Sequence, residues 1–378
     1  MHLLRLALSA LVVPALAFGA ACSSSSGGHS GPGSGGLTGS SSGGAGSGSG
    51  GGSGGGSSGG GSGSSSGGTE ADAAPPNDAN TTVGNMTWSN GQMLTTNITI
   101  PAGTTVTIAP GAKVDVGAGV TITVDGTLAA AAASNHAGLT GASWIGIVVA
   151  SGGTLQLDGV DITGASAALD VQGGGTAEYD DGTINQSAAS FSVAKGGTLG
   201  MKHSTLAGAA GTCSVAGSFT ADYLTYTAAG SGLFDGIVTT DTGAKLSIED
   251  STFTGPGPNG PLHDMLVAQN GAAQFHVAYT NIKSMHCGFH FDELSEVDVS
   301  YVNDDSNAYG FMLYGSGGAG PFTVTYSNLY SNGADYTTLG SNSPITFDHD
   351  YTADSTDPGT VVSTTSPQSS MVPGTGPR

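Results

Sequence analysis

Three consecutive segments of this chain are copies of one unit, and a chain that repeats in this way must stack. Trp144–Gly164 reads WIGIVVASGGTLQLDGVDITG, Ala167–Ser187 reads AALDVQGGGTAEYDDGTINQS, and Ala189–Gly208 reads ASFSVAKGGTLGMKHSTLAG. A Gly-Gly-Thr turn returns at Thr154, Thr176 and Thr198, a spacing of 22 residues. A period of that length built from short alternating segments marks a solenoid, in which each unit buries its apolar face only against its neighbours.

The residue after each of these threonines serves as an anchor: Leu155, Ala177 and Leu199. Apolar residues recur two positions later (Leu157, Tyr179, Met201), seven later (Ile162, Ile184, Leu206) and six earlier (Val149, Val171, Val193). Alternation of this kind turns one face of each short strand inward. With looser spacing the anchors continue as Phe219, Leu246, Phe275, Val297, Phe322 and Ile345. Asp304 and Thr352 interrupt the column seven residues on. No segment of helical length and period intervenes, so helical and leucine-rich repeats are excluded.

Three strands per unit over Asn85–Asp354 resembles the right-handed parallel β-helix of pectate-lyase-like proteins. The resemblance implies an all-β solenoid of roughly 9–11 turns, about 45–50 Å long at the spacing of paired strands. It implies no single activity, because this fold carries lyases, hydrolases, adhesins and inert stalks. The run IPAGTTVTIAPGAKV is similar to the start of bacterial β-helix domains, which assigns residues 85–133 to the N-terminal cap and first turns.

Residues 1–21 have the form of an export signal: Arg5, then an apolar stretch from Leu6 to Phe18 too short to span a bilayer. Cys22 follows Gly19-Ala20-Ala21, which resembles a bacterial lipobox, with Gly19 where a larger aliphatic residue is usual. The resemblance implies lipidation of Cys22 and a membrane partner. Ordinary cleavage and secretion is the alternative. Ser23 stands where the retention signal of such lipoproteins has Asp, so the same resemblance implies the outer membrane or cell surface. Ser23–Gly68 is almost wholly Gly and Ser and is expected to be a disordered tether, so residues 22–84 read as linker. Residues 355–378 are expected to be a disordered tail.

The chain carries 28 acids against 7 bases, a net charge of −21. That excludes nucleic acid, which requires a basic surface, and disfavours polyanionic substrates. Cys213 is expected in the column of Val149, Val171 and Val193 as a buried thiol, three layers and roughly 14 Å from Cys287, beyond disulfide reach. No paired cysteine and histidine spacing of a zinc site is present, and no metal is assigned from the sequence.

Two sets of side chains carry candidate chemistry. Tyr279, Tyr301 and Tyr326 recur on consecutive turns, followed two residues later by Asn281, Asn303 and Asn328. The tyrosines suit an aromatic strip for sugar rings or a structural stack. The asparagines suit a hydrogen-bonded ladder. The second set centres on His286-Cys287-Gly288-Phe289-His290-Phe291-Asp292-Glu293. Phe289 and Phe291 fall at inward positions, so His290 and Asp292 are expected outward on one face, with Asn270, Asp241 and Thr239 in the neighbouring column and Asp170 further along. Asp241, His290 and Asp292 would serve general acid–base hydrolysis of a neutral polysaccharide or hold a metal. A solvated polar face is the alternative.

Asp180-Asp181 and Asp304-Asp305 are similar to the paired acids of polygalacturonase-like hydrolases, but the Gly-His-Gly and Arg-x-Lys elements of those enzymes are absent. Arg378 is the only arginine after the signal, which removes the arginine base of pectate lyases. Asp348, Asp350, Asp354 and Asp357 read as a turn of solvated acids, with calcium as the alternative occupant; no other cofactor is expected. The sequence therefore favours a surface-anchored, non-catalytic module contacting glycan or protein, with a carbohydrate-active enzyme as the alternative.

Overall fold

The computed structural model describes residues 80–378 apart from 186, 270, 272–273, 293–295, 315–321, 340–344 and 354–361. The export signal, Cys22 and the Gly/Ser tether lie outside the described residues. The described chain is all-β and right-handed, with every strand pairing parallel in a coil of about 11 turns. Each turn contributes one strand to each of three sheets of 12, 13 and 12 described strands. Sheet 1 runs from Asn80–Thr82 to Ala334–Leu339, sheet 2 from Met86–Trp88 to Val362–Thr365, and sheet 3 from Gln92–Leu94 to Tyr351–Thr352.

The anchors expected from the repeat form one continuous column in sheet 2: Leu155, Ala177, Leu199, Phe219, Leu246, Phe275, Val297, Phe322 and Ile345. The matching column in sheet 3 carries Ile162, Ile184, Leu206, Tyr226, Phe253, Ile282, Asp304 and Leu329. In sheet 1 the inward column includes Ile147, Leu169, Phe191, Ile237, Leu266, Phe289 and Phe311. Aromatic rings stack within this core, Phe191 of sheet 1 against Phe219 of sheet 2 at 4.5 Å and Phe289 on its equivalent Phe311 at 4.4 Å. The core is therefore a series of apolar files parallel to the coil axis.

Cys213 is buried but pairs with Ile237, so it belongs to the file of Leu169 and Phe191 rather than that of Val193. The cause is a shorter corner: Ala216-Gly217 replaces the four residues Ala194–Gly197 between sheets 1 and 2. Thr239 is also corrected. It follows Ile237 by two, shares its inward phase, and is fully buried.

The boundaries differ from expectation at both ends. Strand Asn80–Thr82 precedes residue 85, and Val362–Thr365 pairs with Ile345–Asp348 beyond residue 354. Residues 366–378, expected to fray, run back along the outside of the coil. Val372 donates to Asn328 Oδ1 at 2.6 Å, the Gly376 N–H donates to the Tyr301 carbonyl at 2.8 Å, and Arg378 reaches Asp250 at 3.1 Å. The polar backbone of this strap gains partners from an asparagine ladder that would otherwise end in solvent.

That ladder is a hydrogen-bonded file. Asn303 Nδ2 donates to Asn281 Oδ1 at 2.8 Å, and Asn328 Nδ2 donates to Asn303 Oδ1 at 2.9 Å. Thr375 Oγ1 also donates to Asn303 Oδ1 at 2.7 Å. A Cβ at Gly376, whose φ is +79°, would fall 2.6 Å from Asn281 Oδ1, so the close approach of strap and ladder requires glycine. Replacing Asn303 strands partners above and below it. Asn303→Ala is expected to cost about 2–3 kcal/mol in urea unfolding of the full chain. An unchanged midpoint would show that the ladder contributes nothing to stability.

Candidate functional site

The corner between sheets 2 and 3 places one non-glycine residue of each turn from Asp181 onward in the left-handed region. Asp181, His203, Tyr223, Asp250, Tyr279, Tyr301, Tyr326, His349 and Ser366 have φ between 46° and 59°. Each of the first eight donates its N–H to a carbonyl of the next turn. This conformation costs a non-glycine residue roughly 1–2 kcal/mol, and here the turn-to-turn hydrogen bond holds it. Because the backbone is the same each time, the side chains leave in one direction and stack.

Tyr279 lies 4.8 Å from Tyr301 with planes 6° apart, Tyr301 lies 5.2 Å from Tyr326, and His349 stacks beyond Tyr326 at 5.0 Å. The Arg378 guanidinium sits 3.6 Å from the Tyr279 ring centre. Sugar stacking needs an open ring face. Along this ladder the faces are covered by neighbouring rings and, at Tyr279, by the chain's own arginine. What remains available is the rings' edges and hydroxyls.

The members of the second candidate set have partners of their own. His290 does lie in the outward phase, in register with Val267 and Met312, but it is only 8% exposed. Its Nδ1 meets Asp264 Oδ2 at 2.6 Å. Asp292 is half-buried at the end of the same strand. Asp241 sits in the corner after Ile237–Thr239, 3.0 Å from Lys195 Nζ, and accepts the Gly243 N–H at 2.9 Å. That backbone hydrogen bond and the lysine hold its carboxyl below the usual range. Asp170 is separated from His290 by five strand spacings, through Ser192, Ser214, Val238 and Val267, about 24 Å. Asn270 lies outside the described residues.

Asp264, which sequence reasoning missed, is the centre of the real cluster. The loop 255–263 delivers His263 to the corner before strand Asp264–Ala268, and the corresponding corner one turn on delivers His286 before Cys287–Asp292. Asp264 Oδ2 is 3.0 Å from His263 Nδ1 as well as 2.6 Å from His290 Nδ1. The rings of His263 and His286 stack at 4.7 Å, and Cys287 Sγ is 3.2 Å from His286 Nδ1. Burial opposes ionisation of Asp264, yet hydrogen bonds from the two histidines outweigh it and hold the carboxyl well below its ordinary value. Burial likewise disfavours charge on His290, and the Asp264 carboxylate overcomes it and raises the imidazole pKa. The only signal in the sequence was the recurrence of His263 and His286 at equivalent corners, which the irregular loop 255–263 concealed.

Two further acids lie inside the coil. Asp304 is fully buried, and burial drives its carboxyl far above the normal range, with Asn307 donating to it. Asp350 is 3% exposed, and burial pushes it up to about 8. Asp348 instead stays near the surface, held low by hydrogen bonding to Thr365. The acids read as one solvated turn, or as a calcium set, are thus divided between inside and outside, while Asp354 and Asp357 lie outside the described residues.

Compared with protein-family models, curated proteins and solved structures, the chain finds no match.

Two outcomes follow from this geometry. Below about pH 4 both folded and unfolded chains hold the Asp350 proton. Between there and about pH 8 only the folded chain holds it, so stability falls as pH rises. Thermal melts across this window are expected to flatten in Asp350→Asn relative to the parent; an identical slope would exclude Asp350 as a source. Arg378→Ala is expected to remove hydrogen-exchange protection at Gly376 while leaving the core strands protected. Protection retained at Gly376 would show that the strap is held without the Asp250 and Tyr279 contacts.

Proposed function

We propose that this protein is an exported, lipid-anchored β-helix of pectate-lyase-like type, acting at the outer membrane or cell surface as a non-catalytic binding or structural module for glycan or protein partners. Cys22 carries the lipid in this reading, and the Gly/Ser stretch from Ser23 to Gly68 holds the coil off the bilayer.

The observation that supports it is that His290 and Asp241 are already engaged by other side chains. General acid–base cleavage requires its acid and base to reach one scissile bond. His290 is sealed against Asp264, Asp241 is tied to Lys195, and Asp170 is about 24 Å away along its column. Arg378, the only arginine after the signal, is engaged by Asp250.

One feature favours the competing reading, a carbohydrate-active enzyme on a neutral polysaccharide. On the outer face of sheet 2 an open depression of about 270 Å³ is lined by Lys202, Thr220, Asp222, Ser247 and Glu249. Beside it Glu178 and Asp180 are both raised above the usual carboxylate range, chiefly by burial.

The deciding experiment is a polysaccharide-digestion and glycan-array screen of the full chain, paired with fractionation of cells making the parent and Cys22→Ser. We expect no release of reducing ends or unsaturated products, and loss of the membrane fraction in Cys22→Ser. Turnover of a neutral polymer that disappears in Asp222→Asn would replace the module with the enzyme. Unchanged partitioning of Cys22→Ser would remove the anchor.

A further inference from the structure

The corner between sheets 3 and 1 holds a set of donors that the reading above does not use. His263, Asp264 and His286 each present a ligand atom, and the three atoms lie within 4.8 Å of one another. They come from two successive turns, with Asp264 and Cys287 in direct register. Asp264 is 3% exposed, and its two oxygens are treated unequally. Oδ2 is shared by His263 at 3.0 Å and His290 at 2.6 Å, whereas Oδ1 is buried and has no hydrogen-bond partner. A buried carboxylate oxygen without a partner is costly, and proteins rarely leave one.

We infer that His263, Asp264 and His286 form a binding site for a divalent transition-metal ion of the zinc class, clamping two adjacent turns of the coil. The donor set decides the class of ion. Two imidazoles and one carboxylate suit zinc and its neighbours, whereas calcium and magnesium require shells of oxygen. An ion here supplies the missing partner of Asp264 Oδ1. Ligands bound at about 2.0–2.1 Å in a tetrahedron stand roughly 3.3 Å apart, so small ring rotations close the present spacing. His290 then positions the carboxylate from behind through Oδ2, as outer-shell partners of metal ligands do. Asp235, whose carboxylate is 3.7 Å from His263 Nδ1, adds negative charge nearby.

The test uses the full chain after dialysis against chelator, with zinc, cobalt and calcium as probes. Equilibrium dialysis is expected to show one tightly held zinc per chain, with a melting temperature that rises with zinc concentration. Cobalt in its place is expected to give visible d–d absorption of a low-coordinate site. His286→Gln is expected to lose both the bound equivalent and the zinc-dependent shift while its circular dichroism matches the parent. His263→Gln provides the second arm should one variant fold poorly. His136→Gln, at the exposed His136–Asp161 pair, retains them. Zinc stoichiometry unchanged in both His263→Gln and His286→Gln would overturn the site, as would a melting temperature raised by calcium and not by zinc.

Discussion

Everything in this molecule depends on hydrogen bonds that run between turns rather than within them. Each strand pairs in parallel with its equivalents before and after, so each position meets its own counterparts. Inward positions form continuous files, and a side chain is acceptable only if it matches the two beside it. The apolar files satisfy this by repetition, and the Asn281–Asn303–Asn328 file satisfies it by passing hydrogen bonds from one amide to the next. The same rule explains the left-handed corner. Backbone strain repeated at one position is held by a repeated N–H to carbonyl bond, and it lines the side chains into a stack.

The rule also accounts for the polar residues that break the files. Asp304 occupies a position filled by Ile282 before it and Leu329 after it, so it enters the interior with no route to solvent. Burial then drives its carboxyl pKa well above the ordinary range, and Asn307 donates to one of its oxygens. Asp264 takes the opposite course. It stays ionised because histidines surround it, and the repeat itself brings His286 beside His263 one turn later. Buried acids shifted in opposite directions thus arise from one architecture, distinguished by whether the adjacent positions supply imidazoles or amides.

The outer surface has a different logic. A solenoid face is long and repetitive, suited to contact along its length rather than to gathering several reactive groups at one point. The tyrosine ladder illustrates the cost of perfect register: rings stacked at about 5 Å satisfy one another and leave little face for a ligand. The strap from Val372 to Arg378 covers the ladder's near end, using the polar file as its track.

The sequence by itself determined the coil. The nine anchors from Leu155 to Ile345 and the file from Ile162 to Leu329 lie where the period placed them, because parallel register preserves spacing from turn to turn. It also determined that Phe289 and Phe291 face inward, since alternation within a strand is strict. Only the tertiary structure decided the rest. The corner between sheets 1 and 2 loses two residues before Ser218, which moves Cys213 to another file, and period alone does not show where a corner shortens. His290 has the outward phase but is buried, and its Nδ1 meets Asp264 of the neighbouring turn, because exposure depends on the packing around a strand and not on phase alone. The strap was invisible for a related reason. Its Ser, Thr, Gly and Pro composition is that of a loose tail, and its order comes from the Asn ladder, Tyr301 and Asp250, contacts up to 128 residues away that exist only once the coil has formed.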